Sequence, residues 1–363
     1  MSTTQAQAQT TQVALDEEKV HAFLGKAVTD CGATLSSALV VIGDKLGLYK
    51  ALRGAGPLTP EELAQRTGTS PRYIREWLLN QAAGGYVDYD PATERYTLPE
   101  EHAVPLTDET SPFYIGGAFL IAEALVRDEP RIADSFKTGA GVHWGDHEQM
   151  LFNGTERLFR PGYQANLISS WIPALDGVAA KLERGAKVAD VGCGHGASTL
   201  ILAQAYPNSQ FYGFDNHAGS IERARQLAGA AGVADRITFN VASSTQFPGA
   251  GYDLIAFFDC LHDIGDPTDT LKHAREALAE DGTILLVEPM AGEKVEDAIN
   301  PVGRFYSGAS VLVCTPNGLA TGSHALGNQA SEGQLRQIAE DAGLTRFRRA
   351  AETPFNRIFE VRR

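Results

Sequence analysis

One short run constrains this chain more than any other: Ala189-Asp190-Val191-Gly192-Cys193-Gly194-His195-Gly196, between a strand-like Lys187–Val191 and a helix expected over Ala197–Ala205. Glycines let the backbone turn sharply and approach a ligand, and the amides that open the next helix add donors. Such turns lie at the carboxyl ends of strands in open α/β sheets. The pattern that follows agrees. Strands are predicted at Gln210–Phe214, Ile237–Val241, Leu254–Phe258 and Thr283–Glu288, with helices at Gly219–Ala230 and near Thr268–Ala279. A helix over Glu332–Ala342 and hairpin-spaced strands at Thr345–Arg349 and Ile358–Val361 close the chain. The alternation predicts an α/β fold: a Rossmann-like, seven-stranded, mostly parallel sheet with helices on both faces.

A glycine-rich turn alone is a weak signal, because G-x-G-x-x-A also passes for a nicotinamide fingerprint. Asp190 separates the two readings. A carboxylate two residues before the first glycine would repel a pyrophosphate and suit an ammonium group. Asp215, ending the next strand, fits the bidentate acceptor of ribose hydroxyls. Ammonium plus ribose describes S-adenosylmethionine. At these residues the chain resembles the class I methyltransferases, whose first motif is an acid followed by G-x-G-x-G. The resemblance implies S-adenosylmethionine as cofactor, held by Asp190, Gly192, Gly194, Gly196 and Asp215. An NAD-dependent dehydrogenase is an alternative, although no Tyr-x-x-x-Lys pair occurs anywhere in the chain.

The second constellation is Phe257-Phe258-Asp259-Cys260-Leu261-His262-Asp263-Ile264-Gly265-Asp266-Pro267. A histidine at the end of that strand can take a proton from a nucleophile, since its ordinary pKa lies near working pH. A loop histidine capping the next helix is the bland alternative. The stretch is similar to the His-Asp motif of small-molecule O-methyltransferases of the caffeate and hydroxyindole type. That resemblance implies His262 as general base, with Asp263 or Glu288 tuning it, and it sets Asp259 among the cofactor residues. Three positions depart from the family pattern: Gln329 replaces a second flanking glutamate, Ile264 a tryptophan, and Ser243-Ser244 the acid that contacts adenine. Loss of one glutamate keeps a thiol-specific S-methyltransferase beside the oxygen reading, because a thiol needs less help from a base. From Leu35 onward the chain is most similar to a group of bacterial methyltransferases of mostly undefined substrate. Arg304 and Tyr306 lie in segments shared with that group and are candidate acceptor contacts or loop anchors. Cys314, in an apolar run, reads as a small core residue.

The first third is helical. Apolar spacing predicts a helix over Leu35–Leu52, a second from Thr59-Pro60 to Gly68, a third from Ser70-Pro71 to Gly84, then short strands at Tyr86–Tyr89 and Arg95–Leu98. Helix, turn, helix and hairpin describe a winged helix. DNA binding would demand local basicity. From Pro60 to Tyr86, Arg66, Arg72 and Arg75 face Glu61, Glu62 and Glu76, and the wing adds Asp88, Asp90 and Glu94 against Arg95. The whole chain carries 45 acidic and 31 basic residues, a net −14. A nucleic-acid partner is therefore not expected, and a winged-helix regulator with a nucleoside ligand is the alternative of another class. In the resembling enzymes this module dimerises the protein, so a homodimer acting on a small-molecule acceptor is implied.

Between the two parts, His143, Asp146, His147 and Glu148 cluster, but Gly141, Trp144 and Gly145 deny them a regular face, so no metal is expected. Phe152, Phe159, Tyr163 and Trp171 read as the packing face of a connecting helix. The expected organisation is a disordered tail (1–18), a winged-helix dimerisation domain (19–110), a helical connector and site cover (111–180) and a cofactor-binding domain (181–363). Four scattered cysteines without a C-x-x-C pair, a tail that is no signal peptide and no apolar run near the ~20 residues of a membrane span point to the cytoplasm, away from any membrane.

Overall fold

A computed structural model describes residues 15–363, which form two compact units, one ending at Leu98 and one running from Pro99 to Arg363. Of the expected tail, residues 1–14 lie outside the described residues, and Glu17 already opens a helix capped by Asp16. That helix, α1 (Glu17–Lys45), begins well before the predicted Leu35. Its first half exposes Phe23, Leu24 and Val28, so no buried stripe marked it in the sequence. It stops before Gly47, whose φ of 68° separates it from α2 (Leu48–Leu52).

Next, α3 (Pro60–Thr67) starts on a capping box in which Thr59 and Glu62 satisfy each other's backbone amides, and α4 (Pro71–Ala83) begins on a proline. The wing is an antiparallel pair, β1 (Asp88–Asp90) and β2 (Arg95–Thr97). Gly43 lets the rings of Tyr49 and Trp77, edge to face with each other, close on α1, since a Cβ there would stand 2.7 Å from both. Arg75 and Arg95 turn back onto Glu61 and Glu62 at 2.6 and 2.7 Å, and Arg72 pairs with Glu76.

The second unit opens with α5 (Glu100–Thr107), α6 (Gly116–Arg127), α7 (Glu129–Thr138) and α8 (Gln149–Asn166), which runs on into a π-helical turn at Leu167–Trp171 before α9 (Val178–Arg184). Gly117 and Gly154 bring α6 and α8 together; a Cβ on Gly117 would meet the Gly154 carbonyl at 2.5 Å. Then β3 (Lys187–Val191), α10 (Ala197–Ala205), β4 (Gln210–Asp215), α11 (Ala218–Ala230), β5 (Ile237–Val241), β6 (Tyr252–Phe258), α12 (Pro267–Ala277) and β7 (Leu278–Pro289) alternate. An insertion follows: α13 (Pro301–Ala309), a π-helical turn (Ser310–Cys314) and α14 (Thr315–Thr321). The chain ends with α15 (Glu332–Asp341), β8 (Arg346–Glu352) and β9 (Asn356–Arg362).

The seven strands lie in the order β5-β4-β3-β6-β7-β9-β8, with β3 to β7 parallel and the final hairpin antiparallel. Period-two alternation divides β6 between two cores. Leu254, Ala256 and Phe258 pack with Trp171, Val188 and Phe211 on one face; Ile255 and Phe257 pack with Val191, Leu271 and Phe359 on the other. Burial on both faces explains its nearly unbroken apolar run. β7 begins at Leu278, before the predicted Thr283, because Leu278 pairs with Tyr252 ahead of a register shift.

Candidate active site

The glycine-rich turn sits at the carboxyl end of β3, between β4 and the central strand β6. Gly192 (φ 74°), Gly194 (φ 52°) and Gly196 (φ 78°) are all left-handed, but they serve different needs. A Cβ on Gly192 would strike Cys260 Sγ at 2.7 Å, and one on Gly196 would strike the Phe239 ring at 2.8 Å. Nothing lies within 4 Å of a Cβ on Gly194, so open space stands above it. Gly192 and Gly194 border the cavity there; Gly196 permits packing against β5.

Asp190 lies beneath the turn and is 1% exposed. Its Oδ2 accepts from Ser198 Oγ (2.7 Å) and Thr199 Oγ1 (2.5 Å), while Oδ1 is buried with no partner among the described residues. Burial pushes this carboxyl up to about 6 despite the two hydroxyls. Asp215, which borders the cavity, accepts from the amides of Gly194 (2.9 Å) and His217 (2.8 Å), so it braces the turn as well as facing the ligand side.

The end of β6 supplies the other wall. Asp259 has φ 50°, a left-handed conformation uncommon outside glycine and a sign of local constraint. Its carboxylate accepts from Tyr163 Oη (2.8 Å) and Asn356 Nδ2 (2.6 Å), and burial pushes it up to about 7. His262 Nδ1 lies 2.7 Å from Glu288 Oε2, and the two residues are 3% and 1% exposed. Glu288, rather than Asp263, is thus the acid that holds the ring. Burial opposes charging the imidazole, yet Glu288 and the Cys314 side chain together hold its pKa well above the ordinary value. Behind Glu288, in register on β9, stands the buried Arg357. Asp263 faces the cavity, as do Asp259 and Cys260; His262 itself does not border it.

Ser243 departs from the sequence reading, and two further features refine that reading of this cavity. Ser244 borders it and pairs with Thr270 at 2.9 Å, whereas Ser243 is exposed beside Thr245. Gln329 turns to Asn328 and does not join His262. Phe159, Tyr163 and Trp171 pack on the core as the sequence predicts, and Phe152, Phe159 and Tyr163 also line the cavity, with Thr155, Glu156 and Trp144. Their spacing on α8 is the same for a core or a cavity face, so only the tertiary placement distinguishes them. His195, in the turn, reaches Glu156 at 2.9 Å, and Phe152 stacks on His217 at 4.7 Å between ring centres. In the His143–Glu148 stretch, His147 is bound to Asp128 (2.5 Å) and Glu148 to Arg127 (3.1 Å), each turned to its own partner.

Residues 182–343 match a family model described as a methyltransferase domain, and residues 33–108 match the Rv2258c-like winged HTH domain. In sequence order, the winged-helix match precedes the methyltransferase-domain match. Trans-aconitate 2-methyltransferase of Streptomyces coelicolor is 32% identical over 104 residues, 28% of this chain and 34% of that protein. The chain thus spans about a third of the length of that curated relative. Among solved structures, a putative O-methyltransferase from Nostoc punctiforme superposes with a TM-score of 0.70 at 21% identity, covering 93% of this chain and 98% of that one. Human N-acetylserotonin methyltransferase, solved with S-adenosylmethionine, gives 0.69 at 18% identity, over 97% and 99% of the two chains. At those identities the likeness concerns the fold. The end of the sheet here presents an orphaned buried carboxylate oxygen on Asp190, open space over Gly194 and an acid at the end of β4, a set that fits a donor such as the S-adenosylmethionine held by that human enzyme.

Proposed function

We propose that the protein moves a methyl group from S-adenosylmethionine to an oxygen or sulfur nucleophile of a small molecule, with His262 as general base. The observation that carries this reading is the His262–Glu288 pair, 2.7 Å apart on a loop whose neighbours Asp259, Cys260 and Asp263 line the cofactor cavity. When bound, the cofactor supplies a sulfonium methyl open to in-line displacement. Asp190 Oδ1 and the Gly192–Gly194 turn hold the amino-acid end, Asp215 the ribose, and Ser244 the rim of the cavity. With Nδ1 engaged by Glu288, the imidazole takes the acceptor's proton on Nε2. A thiol acceptor is the second reading: Gln329, at the place of a second glutamate, turns to Asn328, and a thiol needs less help from a base. The full chain, given methyl-labelled S-adenosylmethionine and panels of phenols, alcohols and thiols, should label one class. Failure to bind the cofactor in a calorimeter would overturn the reading.

We also propose a homodimer. Phe23, Val28 and Leu35 on α1 are 68%, 71% and 70% exposed, a long apolar face with no cover in its own unit. By length and composition this helix also suits a membrane, but Lys26 and Asp30, paired at 2.6 Å along it, favour a protein partner. Sedimentation equilibrium at micromolar concentration should return a dimer that Leu24→Asp with Val28→Asp converts to a monomer; a monomeric unmodified chain would sink the idea. The free thiols at Cys31, Cys193, Cys260 and Cys314 suit a reducing cytoplasm.

A further inference from the structure

The cavity holds more negative charge than the proposed contacts use. His262 is matched by Glu288, and Arg357 stands in register behind that pair. Under the proposed function Asp190 answers the cofactor's ammonium and Asp215 its ribose. Asp259 and Asp263 remain, both bordering the cavity. Among the described residues neither forms an ion pair, although His262 stands near both. Asp259 accepts from two neutral donors, Tyr163 Oη and Asn356 Nδ2, at 2.8 and 2.6 Å. The Asp263 carboxylate is favoured by a backbone hydrogen bond of its own residue and by the nearby His262. The constrained backbone at Asp259, φ 50°, keeps this carboxylate at the wall beside the turn.

We infer that Asp259 and Asp263 form an anionic wall that selects the cationic methyl donor over its neutral demethylated product. The two nucleosides share every group except the sulfur, which is a sulfonium in S-adenosylmethionine and a thioether in S-adenosylhomocysteine. Carboxylates bordering the cavity act on a charge within it across a low-dielectric space, where a unit charge is felt strongly. Discrimination therefore resides in charge, and it disappears if the acids are neutral. The inference rests on the methyltransferase reading and assigns these residues a task beyond it.

Burial, set against its neighbours, raises each acid to about 7, so the wall charges within the accessible pH range. Asp259 is faced by Tyr163 from α8, Glu288 from β7, His262 from its own loop and Tyr306 from α13. Asp263 is faced by His262, Glu288 and Asp215. Of these, both tyrosines stay neutral because burial raises them further, and His262 stays charged through the lower part of the range. The sign follows. Below about pH 6 the wall is largely protonated and the two nucleosides bind alike; above about pH 8 it is charged and the sulfonium is preferred.

Calorimetric titration of the full chain with each nucleoside from pH 5.5 to 8.5 tests this. The ratio of the S-adenosylhomocysteine Kd to the S-adenosylmethionine Kd is expected to rise about tenfold with pH. Asp259→Asn with Asp263→Asn should flatten that rise to less than about twofold over the same range. Should that variant not fold, Tyr163→Phe gives an independent readout. It removes a donor that favours the ionised Asp259, so the midpoint of the rise should move to higher pH. A ratio constant with pH in the unmodified protein, or a rise that persists in a folded double variant, overturns the inference. Binding of neither nucleoside overturns instead the methyltransferase reading beneath it.

Discussion

Replacing His262 with alanine is expected to lower kcat by about two to four powers of ten while S-adenosylmethionine affinity stays within roughly twofold. The split follows from placement: His262 is buried against Glu288 and does not border the cofactor cavity, so its loss removes a proton acceptor and no cofactor contact. Single-turnover kinetics beside calorimetry measures both halves. Unchanged turnover would remove His262 from the mechanism. The pH dependence has a defined direction. The base works as neutral imidazole, and its pKa is held well above the ordinary histidine value, so activity should rise with pH through a midpoint above about 6.5. Glu288→Gln removes the carboxylate that favours the charged ring, and the midpoint should move down. A thiol acceptor would show a smaller loss on His262→Ala than an alcohol, because its own proton leaves near neutrality.

Asp215→Ala is expected to weaken S-adenosylmethionine binding about a hundredfold or more, since two hydrogen bonds to a charged acceptor each contribute roughly 1.5–3 kcal/mol. The same carboxylate takes the amides of Gly194 at 2.9 Å and His217 at 2.8 Å, so its removal also slackens the turn that approaches the ligand. Asp215→Asn keeps one acceptor oxygen and should fall between the two. Calorimetry that found Asp215→Ala within threefold of the unmodified protein would exclude the ribose assignment.

The parts of this architecture that announce themselves in sequence are those whose cause is local. The Gly192–Gly196 turn, the capping of α3 and the apolar run of β6 each follow from a few adjacent residues, and their boundaries matched expectation closely. Glu288 as the partner of His262 was legible only through family resemblance, because the two meet across neighbouring strands. The aromatic wall from α8 was not legible. Phe152, Phe159 and Tyr163 obey the same helical spacing whether they fill a core or face a cavity. Nor was the start of α1, whose exposed apolar side chains give no periodic contrast. Ser243 and Ser244 were inseparable on paper; the turn after β5 directs only the second inward.

The loop carrying His262 is tied to the insertion between β7 and α15 at several points. Asn317 Nδ2 donates to the Asp263 carbonyl (2.9 Å), Thr321 Oγ1 accepts from the Gly265 amide (3.1 Å), and the Gly327 amide donates to the His262 carbonyl (3.0 Å). At the Gly265–Gly322 contact a Cβ would stand 2.1 Å from the opposite amide nitrogen, so the two segments meet backbone to backbone. The glycine-rich turn is braced separately, by β4 through Asp215. The two sides of the cavity therefore rest on different stretches of chain. Sequence drift within the insertion would shift the His262 loop and its neighbouring acids while the glycine-rich turn keeps its own support, so the two walls of such a scaffold have room to diverge at different rates.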